Sequence, residues 1–88
     1  MKKAAKKTPI KPAKGNEFEK DLQKVGNRIK ELRIRRGYTS YEIFAFDNNI
    51  NRAQFGRYER GEDLRISSLL RILKALKVSP LEFFSEGF

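Results

Sequence analysis

The chain has 88 residues, with 20 Lys and Arg against 11 Asp and Glu, and its formal net charge is +9 at pH 7. It contains no His and no Cys, which excludes disulfides, thiol nucleophiles, imidazole catalysis and the common zinc sites. This length suits one small helical domain, and the excess of positive charge makes nucleic acid the first expected partner. We predict a binding protein that is not an enzyme and that uses no cofactor or metal.

The distribution of apolar residues disfavours both membrane insertion and secretion. The longest apolar run spans only positions 43–46, whereas a transmembrane helix needs about 20 apolar residues. The lysine-rich start of the chain is not followed by the apolar segment of a secretory signal. We therefore expect a soluble, cytoplasmic protein with no membrane partner and no evident small-molecule ligand.

Residues 1–16 differ in composition from the rest of the chain. They contain six lysines and no acidic residue, so they carry six of the nine net charges and leave +3 for residues 17–88. A segment this polar cannot bury enough surface to order itself, and we predict a flexible basic tail followed by one domain over residues 17–88. Two roles for the tail remain open: a solvated leader, or an arm that adds sequence-independent affinity for DNA.

The remaining residues predict five helices and no strand. The first helix has an apolar face with spacings of four and three residues, formed by Phe18, Leu22, Val25, Ile29 and Leu32. Gly26 interrupts this face at a cost of about 1 kcal/mol relative to Ala, so the helix begins either near Phe18 or near Asn27. Gly37 is expected to end it.

Capping residues place the four shorter helices. Residues 39–42 match a capping box that opens the second helix, at about 40–47, and Asn51 opens the third, at about 51–59. The break between them falls at Asn48 and Asn49. A fourth helix carries a run of Leu and Ile from Leu69 onward, and residues 79–82, with the sequence Ser-Pro-Leu-Glu, open the fifth.

Two short helices joined by a tight turn form a helix-turn-helix, in which the second helix enters the major groove of DNA. Residues 25–86 resemble the Cro/C1-type (Xre family) helix-turn-helix domain. The resemblance rests on the order of several marks: Arg-x-x-x-Gly, Glu-x-x-Ala, Ile50, Phe55 and Tyr58 followed by Glu-Arg-Gly, and a Leu-x-x-Ile-Leu-x-x-Leu-x-Val run that leads to Phe-Phe. It implies a compact all-α, five-helix, lambda-repressor-like DNA-binding domain.

Some positions depart from the usual family pattern. Asn49 replaces the usual Gly of the turn, Asn48 replaces an apolar residue, and Tyr41 replaces the Gln that commonly begins the second helix. The loop before Ser40 is one residue longer than usual. We expect only a mild effect at Asn49, because Asn tolerates the left-handed conformation. Asn48 is expected to change how the second helix packs against the third, and Tyr41 is expected to alter a phosphate contact.

The candidate base-reading residues share the outward face of the third helix and are Arg52, Ala53, Gly56 and Arg57. Arg suits a bidentate contact with guanine O6 and N7, and the alternative for both arginines is a position in solvent or on phosphates. Gly56 either lets the backbone approach the groove closely or is simply tolerated in a short helix.

The candidate phosphate contacts are Tyr41, Asn51, Gln54 and Arg60. In the family's fold the N-termini of the second and third helices approach the DNA backbone, and free N–H groups at a helix N-terminus bind phosphate. Helix capping alone is the alternative role for Asn51, and capping is compatible with phosphate binding.

Other residues are expected to shape the fold. The side chains that should pack where the second and third helices cross are Phe44, Ala45, Ile50, Phe55 and Tyr58. The resemblance also implies that Arg33 pairs with Glu59 and ties the first helix to the end of the third. A partly buried bidentate pair of this kind fixes orientation more than it adds net stability.

The C-terminal segment carries more large apolar side chains than one short helix can bury: Leu81, Phe83, Phe84 and Phe88. We predict that they form a homodimer patch that is used at least on DNA. The alternative is that Leu81 and Phe84 pack inward and the other two are isolated exposed residues.

These features favour a sequence-specific regulator of transcription that binds double-stranded DNA. One alternative is a protein-interaction module, such as an antitoxin that also binds DNA, and another is a general nucleic-acid binder that uses charge alone. Replacing Arg52 by Ala distinguishes the general binder from the sequence-specific regulator. Loss of a base contact relaxes sequence preference, whereas loss of a charge contact lowers the affinity for every sequence.

Overall fold

The computed structural model describes residues 17–88, and the predicted basic tail at residues 1–16 lies outside this range. The described residues form five helices and no strand: α1 (Glu19–Arg35), α2 (Tyr41–Asp47), α3 (Arg52–Glu59), α4 (Ile66–Leu76) and α5 (Pro80–Phe83). The all-α, five-helix prediction is confirmed. Within residues 17–88, no helix has the length and apolar character needed to cross a membrane, and no cluster of acidic side chains is placed to hold a metal ion.

One hydrophobic core receives side chains from all five helices. Its buried members are Ile29, Leu32, Phe44, Ala45, Phe55, Tyr58, Leu69, Ile72, Leu73, Leu76 and Phe83. The rings of Phe44 and Phe55 lie 5.2 Å apart where α2 meets α3, Ala45 is fully buried, and Ile50 packs against the same cluster. The predicted packing of α2 on α3 is therefore confirmed.

α1 begins at Glu19 and runs through Gly26 without a break, so a start near Asn27 is wrong. Gly26 lies where α1 passes the end of α3. A Cβ at this position would sit 2.6 Å from the backbone oxygens of both Tyr58 and Glu59, which is closer than any side chain permits. Gly is therefore required in the middle of α1 despite its low helix propensity, because the backbones of α1 and α3 are in contact at this position.

The loop from α1 to α2 is anchored at both ends. α1 ends in a Schellman motif, in which Gly37 has φ +93° and its N–H donates to Ile34 O, while the Tyr38 N–H donates to Arg33 O. The Tyr38 hydroxyl donates to Asp47 Oδ2 at 3.0 Å, and this hydrogen bond is the largest cause that raises the pKa of Tyr38. The loop predicted to be unusually long therefore folds back onto α2.

Side-chain caps open α2, α3 and α5. The α2 cap is Ser40, whose Oγ accepts from Ile43 N at 3.2 Å, so the capping box predicted to begin at position 39 is wrong by one residue. Ser40 takes the role because it is the last residue with extended backbone before α2. The other two caps are as predicted: Asn51 Oδ1 accepts from Gln54 N at 2.9 Å, and Ser79 Oγ accepts from Glu82 N at 3.1 Å.

Candidate nucleic-acid interface

Asn48 and Asn49 form the turn between α2 and α3. Asn49 has φ 60°, a left-handed conformation that Asn adopts more readily than other non-Gly residues. The Asn48 side-chain amide donates to Phe44 O at 2.8 Å, so its polar group is satisfied where the family usually carries an apolar residue. The N–H of Ile50 then donates back to Ala45 O at 2.9 Å. Both Asn residues are thus accommodated, and the turn joins α2 and α3 closely.

α3 is oriented by its buried face. Phe55 is fully buried and Tyr58 nearly so, and on the other side of the helix Arg52, Ala53 and Arg57 are exposed to solvent. These are three of the four residues predicted to share an outward face. Arg52 is the first residue of α3, so the exposed side chains extend from the N-terminus of the helix to its last turn.

Gly56, the fourth predicted member of that face, is buried. The ring of Tyr41 covers it: a Cβ on Gly56 would lie 2.8 Å from Tyr41 Cε1 and 3.3 Å from the Tyr41 hydroxyl. The outward placement of Gly56 is therefore wrong, and neither close approach to a groove nor simple tolerance is needed to explain it. Gly56 makes room for Tyr41, which places an α2 side chain beside the exposed face of α3.

Asn51 and Gln54, two of the predicted phosphate contacts, are exposed at the start of α3. They line a concave surface together with residues from the beginning of α4, namely Arg65, Ser67, Ser68 and Arg71. Sequence reasoning did not single out this second group. A usable signal was present, because polar residues at positions 67, 68 and 71 are one and three residues apart, which places them on one side of a helix. The surface is polar and basic, which suits a phosphate backbone.

Arg60, another predicted phosphate contact, is exposed at the opposite end of α3. It lines a shallow depression with Arg57, Gly61 and Glu62. Within this depression the Arg57 Nε donates to Glu62 Oε1 at 2.9 Å. Arg57 therefore contacts an acidic side chain, that of Glu62, near the C-terminus of α3.

Arg33 of α1 and Glu59 of α3 form a buried ion pair. Arg33 Nε and Nη2 donate to the two carboxylate oxygens of Glu59 at 2.7 and 3.1 Å, and Nη1 donates to Tyr38 O at 2.7 Å. The side chains are only 4% and 8% exposed. This is the pair expected from the resemblance. It also occupies the only acidic side chain within α3, so the charge that α3 presents to solvent is positive.

Comparisons with known proteins agree with the helix-turn-helix arrangement of α2 and α3. Residues 28–85 match the model of the Cro/C1-type HTH DNA-binding domain. The chain belongs to this family. It is therefore a helix-turn-helix DNA-binding protein in which α2 and α3 form the motif and α3 is the recognition helix.

Several solved structures of restriction-modification controller proteins resemble this family member. The controller protein C.AhdI from Aeromonas hydrophila is 34% identical, with a TM-score of 0.69, covering 78% of this chain and all of that one. The wild-type controller C.Esp1396I is 36% identical, with a TM-score of 0.66 over 75% of this chain and 86% of that one. A C.Esp1396I tetramer in complex with its natural 35 base-pair operator is 36% identical, with a TM-score of 0.66 over 75% and 87% of the two chains. Among curated proteins no sequence matches.

In this helix-turn-helix protein a buried arginine that sequence reasoning missed holds the C-terminal helix. Arg28 of α1 is 3% exposed, and its Nε and Nη2 donate to the carbonyl oxygens of Phe83 and Glu82 at 2.8 and 3.0 Å. Its Nη1 pairs with Glu31 at 3.1 Å. Position 28 lies three residues after Val25 and four before Leu32, so a basic residue on the apolar face of α1 was the available signal.

Only part of the predicted dimer patch is exposed. Phe83 is fully buried in the core, so its assignment to the patch is wrong; α5 is a single turn, and Phe83 is the residue that attaches it. The alternative in which Leu81 and Phe84 pack inward is also wrong, since Leu81 is 82% exposed and Phe84 is 45% exposed. The Phe84 and Phe88 rings lie 4.9 Å apart. Leu81, Phe84 and Phe88 are called the C-terminal patch below.

Proposed function

We propose that this protein is a sequence-specific transcriptional regulator that reads the major groove of double-stranded DNA with α3. The observation that carries this proposal is the exposure of Arg52 and Arg57 on a helix whose other face is fixed in the core by Phe55 and Tyr58. An arginine on a rigid helix can be aimed at guanine O6 and N7, and each such contact is worth about 1–3 kcal/mol of discrimination. Ala53 lies between them and suits apolar contact with a thymine methyl group.

Phosphate contacts position α3 in this proposal. Asn51 and Gln54 contact the DNA backbone beside the start of α3, and Arg65 and Arg71 extend the same surface from α4. Arg60 and Tyr41 contact phosphates on the other sides of the helix. Contacts of this kind fix the register of a protein on DNA without carrying sequence information, so they account for affinity while the α3 arginines account for preference.

The protein acts as a homodimer in this proposal. The C-terminal patch offers large, exposed apolar side chains that a second copy can cover, and the similar C.Esp1396I controller has been crystallised as a tetramer on its operator. Two-fold dimers read half-sites about 34 Å apart, so the operator is expected to be an inverted repeat. We further expect action in the cytoplasm and no catalytic activity.

Selection of bound sites from a random duplex library, carried out at two salt concentrations, tests the proposal. Enrichment of an inverted repeat whose half-sites are about one helical turn apart is expected at both concentrations. A protein that binds by charge alone would enrich no sequence and would lose its affinity steeply with salt. That outcome would overturn the proposed function.

A further inference from the structure

Arg57, in the last turn of α3, is held by an acidic side chain from the loop that follows. Its Nε donates to Glu62 Oε1 at 2.9 Å. This is the only hydrogen bond of the Arg57 side chain within residues 17–88. A guanidinium carries five N–H donors, and those on the two terminal nitrogens, Nη1 and Nη2, are therefore left for a ligand.

The backbone of α3 itself places Glu62. α3 ends in a Schellman motif: Gly61 has φ +98°, the Gly61 N–H donates to Tyr58 O, and the Glu62 N–H donates to Arg57 O at 3.0 Å. Gln23 of α1 packs over Gly61, and a Cβ at position 61 would lie 2.8 Å from Gln23 Oε1 and displace it. Arg57 is thus bonded to Glu62 twice, once through its carbonyl oxygen and once through its guanidinium.

Folding stability does not explain this ion pair. The Arg57 and Glu62 side chains are 45% and 57% exposed, and exposed pairs of this kind contribute little to stability. The effect of the pair is on the freedom of Arg57. A long arginine can sample many rotamers, and the pair favours those that keep Nε on Glu62.

That restriction matters for a residue that reads DNA. An unrestrained arginine can bond to phosphate oxygens, which carry no sequence information. An arginine held at Nε has its two terminal nitrogens free, which is the arrangement needed for a bidentate contact with guanine O6 and N7. The Glu62 carboxylate also repels phosphates, so it disfavours the non-specific alternative.

We propose that Glu62 is a positioning residue for sequence readout: by holding Arg57 Nε, it commits the Arg57 guanidinium to a G·C base pair. This inference rests on the proposed function, because it requires α3 to read bases. It predicts that removing Glu62 changes the preference at one base pair of each half-site and leaves the preference at the other base pairs unchanged.

The test compares the 88-residue protein with its Glu62→Ala, Asp63→Ala and Arg57→Ala variants. Affinities are measured on the selected duplex and on every single-base-pair variant of it, at one salt concentration, after thermal unfolding has shown that each protein is folded. Asp63→Ala is the matched control, because it removes another exposed acidic side chain from the adjacent position. Arg57→Ala identifies the base pair that Arg57 reads.

Both acidic variants are expected to bind all duplexes somewhat more tightly, because a negative charge near DNA is lost. Only Glu62→Ala is expected to lose discrimination, by roughly two- to fivefold, at the base pair that Arg57→Ala identifies. Unchanged discrimination there, or an Arg57→Ala variant that alters no single base pair, would overturn the inference while leaving the proposed function intact. A wild-type protein with no preference at any position would overturn both.

Discussion

Gly26 of α1 lies directly against the backbone of Glu59, the last residue of α3: a Cβ added to Gly26 would be 2.6 Å from the Glu59 carbonyl oxygen and 2.9 Å from its carbonyl carbon. Neither atom can rotate away, since both belong to the backbone of a helix. The separation between α1 and the recognition helix is therefore set by the absence of a side chain at position 26.

The Gly26→Ala variant is expected to lower the free energy of unfolding by about 1–3 kcal/mol, the usual cost of overpacking. Helix propensity alone predicts the opposite sign, a gain of about 1 kcal/mol. Urea denaturation distinguishes the two, with Lys30→Ala on the exposed side of the same helix as the control. A more stable Gly26→Ala protein would show that α1 and α3 do not pack as closely as described.

The Arg33–Glu59 pair predicts a strongly coupled double-mutant cycle. Glu59→Ala leaves the buried Arg33 guanidinium without its carboxylate, and we expect a loss of about 3–5 kcal/mol of unfolding free energy together with weaker DNA binding. Adding Arg33→Met should recover much of that loss, because the unpaired charge is removed. An unchanged melting temperature together with unchanged affinity in Glu59→Ala would contradict the assigned role.

Gly56 and Tyr41 predict a second coupled pair. Gly56→Ala should displace the Tyr41 ring, so DNA affinity falls while the free energy of unfolding changes by no more than about 1 kcal/mol, because the ring can move. In a Tyr41→Ala background the same Gly56→Ala change has no ring to displace and should not reduce affinity further. Equal losses of affinity in both backgrounds would mean that Gly56 itself, rather than the position of the Tyr41 ring that covers it, affects binding.

The C-terminal residues predict two separate phenotypes. Phe83→Ala should cost about 3–5 kcal/mol of unfolding free energy, because it removes a buried aromatic side chain. Leu81→Glu should leave the unfolding free energy within about 0.5 kcal/mol yet weaken self-association and the binding of an inverted-repeat duplex. Sedimentation velocity measures the association. Unaltered self-association in Leu81→Glu would remove the C-terminal patch from the dimer interface.

The sequence was sufficient for the features that depend on local chemistry. Helix periodicity, the caps at Asn51 and Ser79 and the left-handed turn at Asn49 follow from residue type and spacing alone. The Arg33–Glu59 pair was predicted from resemblance, since nothing local joins residues 26 positions apart in the chain.

The features that were missed depend on how helices cross. Gly26 and Gly56 are both explained by close contact with another helix. The residues next to them in the sequence give no sign of either contact. Phe83 and Phe84 are adjacent and chemically identical, yet one is buried and the other exposed, because a single-turn helix can direct only one of them to the core. The buried Arg28 is similar: its carbonyl partners lie 54 and 55 residues away.

The proposed reading of specific base pairs by the exposed α3 arginines is best measured at Arg52, the first residue of the helix. The measurement is the affinity of wild-type and Arg52→Ala proteins for the selected duplex and for each of its single-base-pair variants at fixed salt concentration. If Arg52 reads a base, Arg52→Ala costs about 1–3 kcal/mol on the selected duplex and abolishes the preference at one base pair in each half-site. A uniform loss across all duplexes, with every preference retained, would show that Arg52 contacts phosphate and would contradict base reading by this residue.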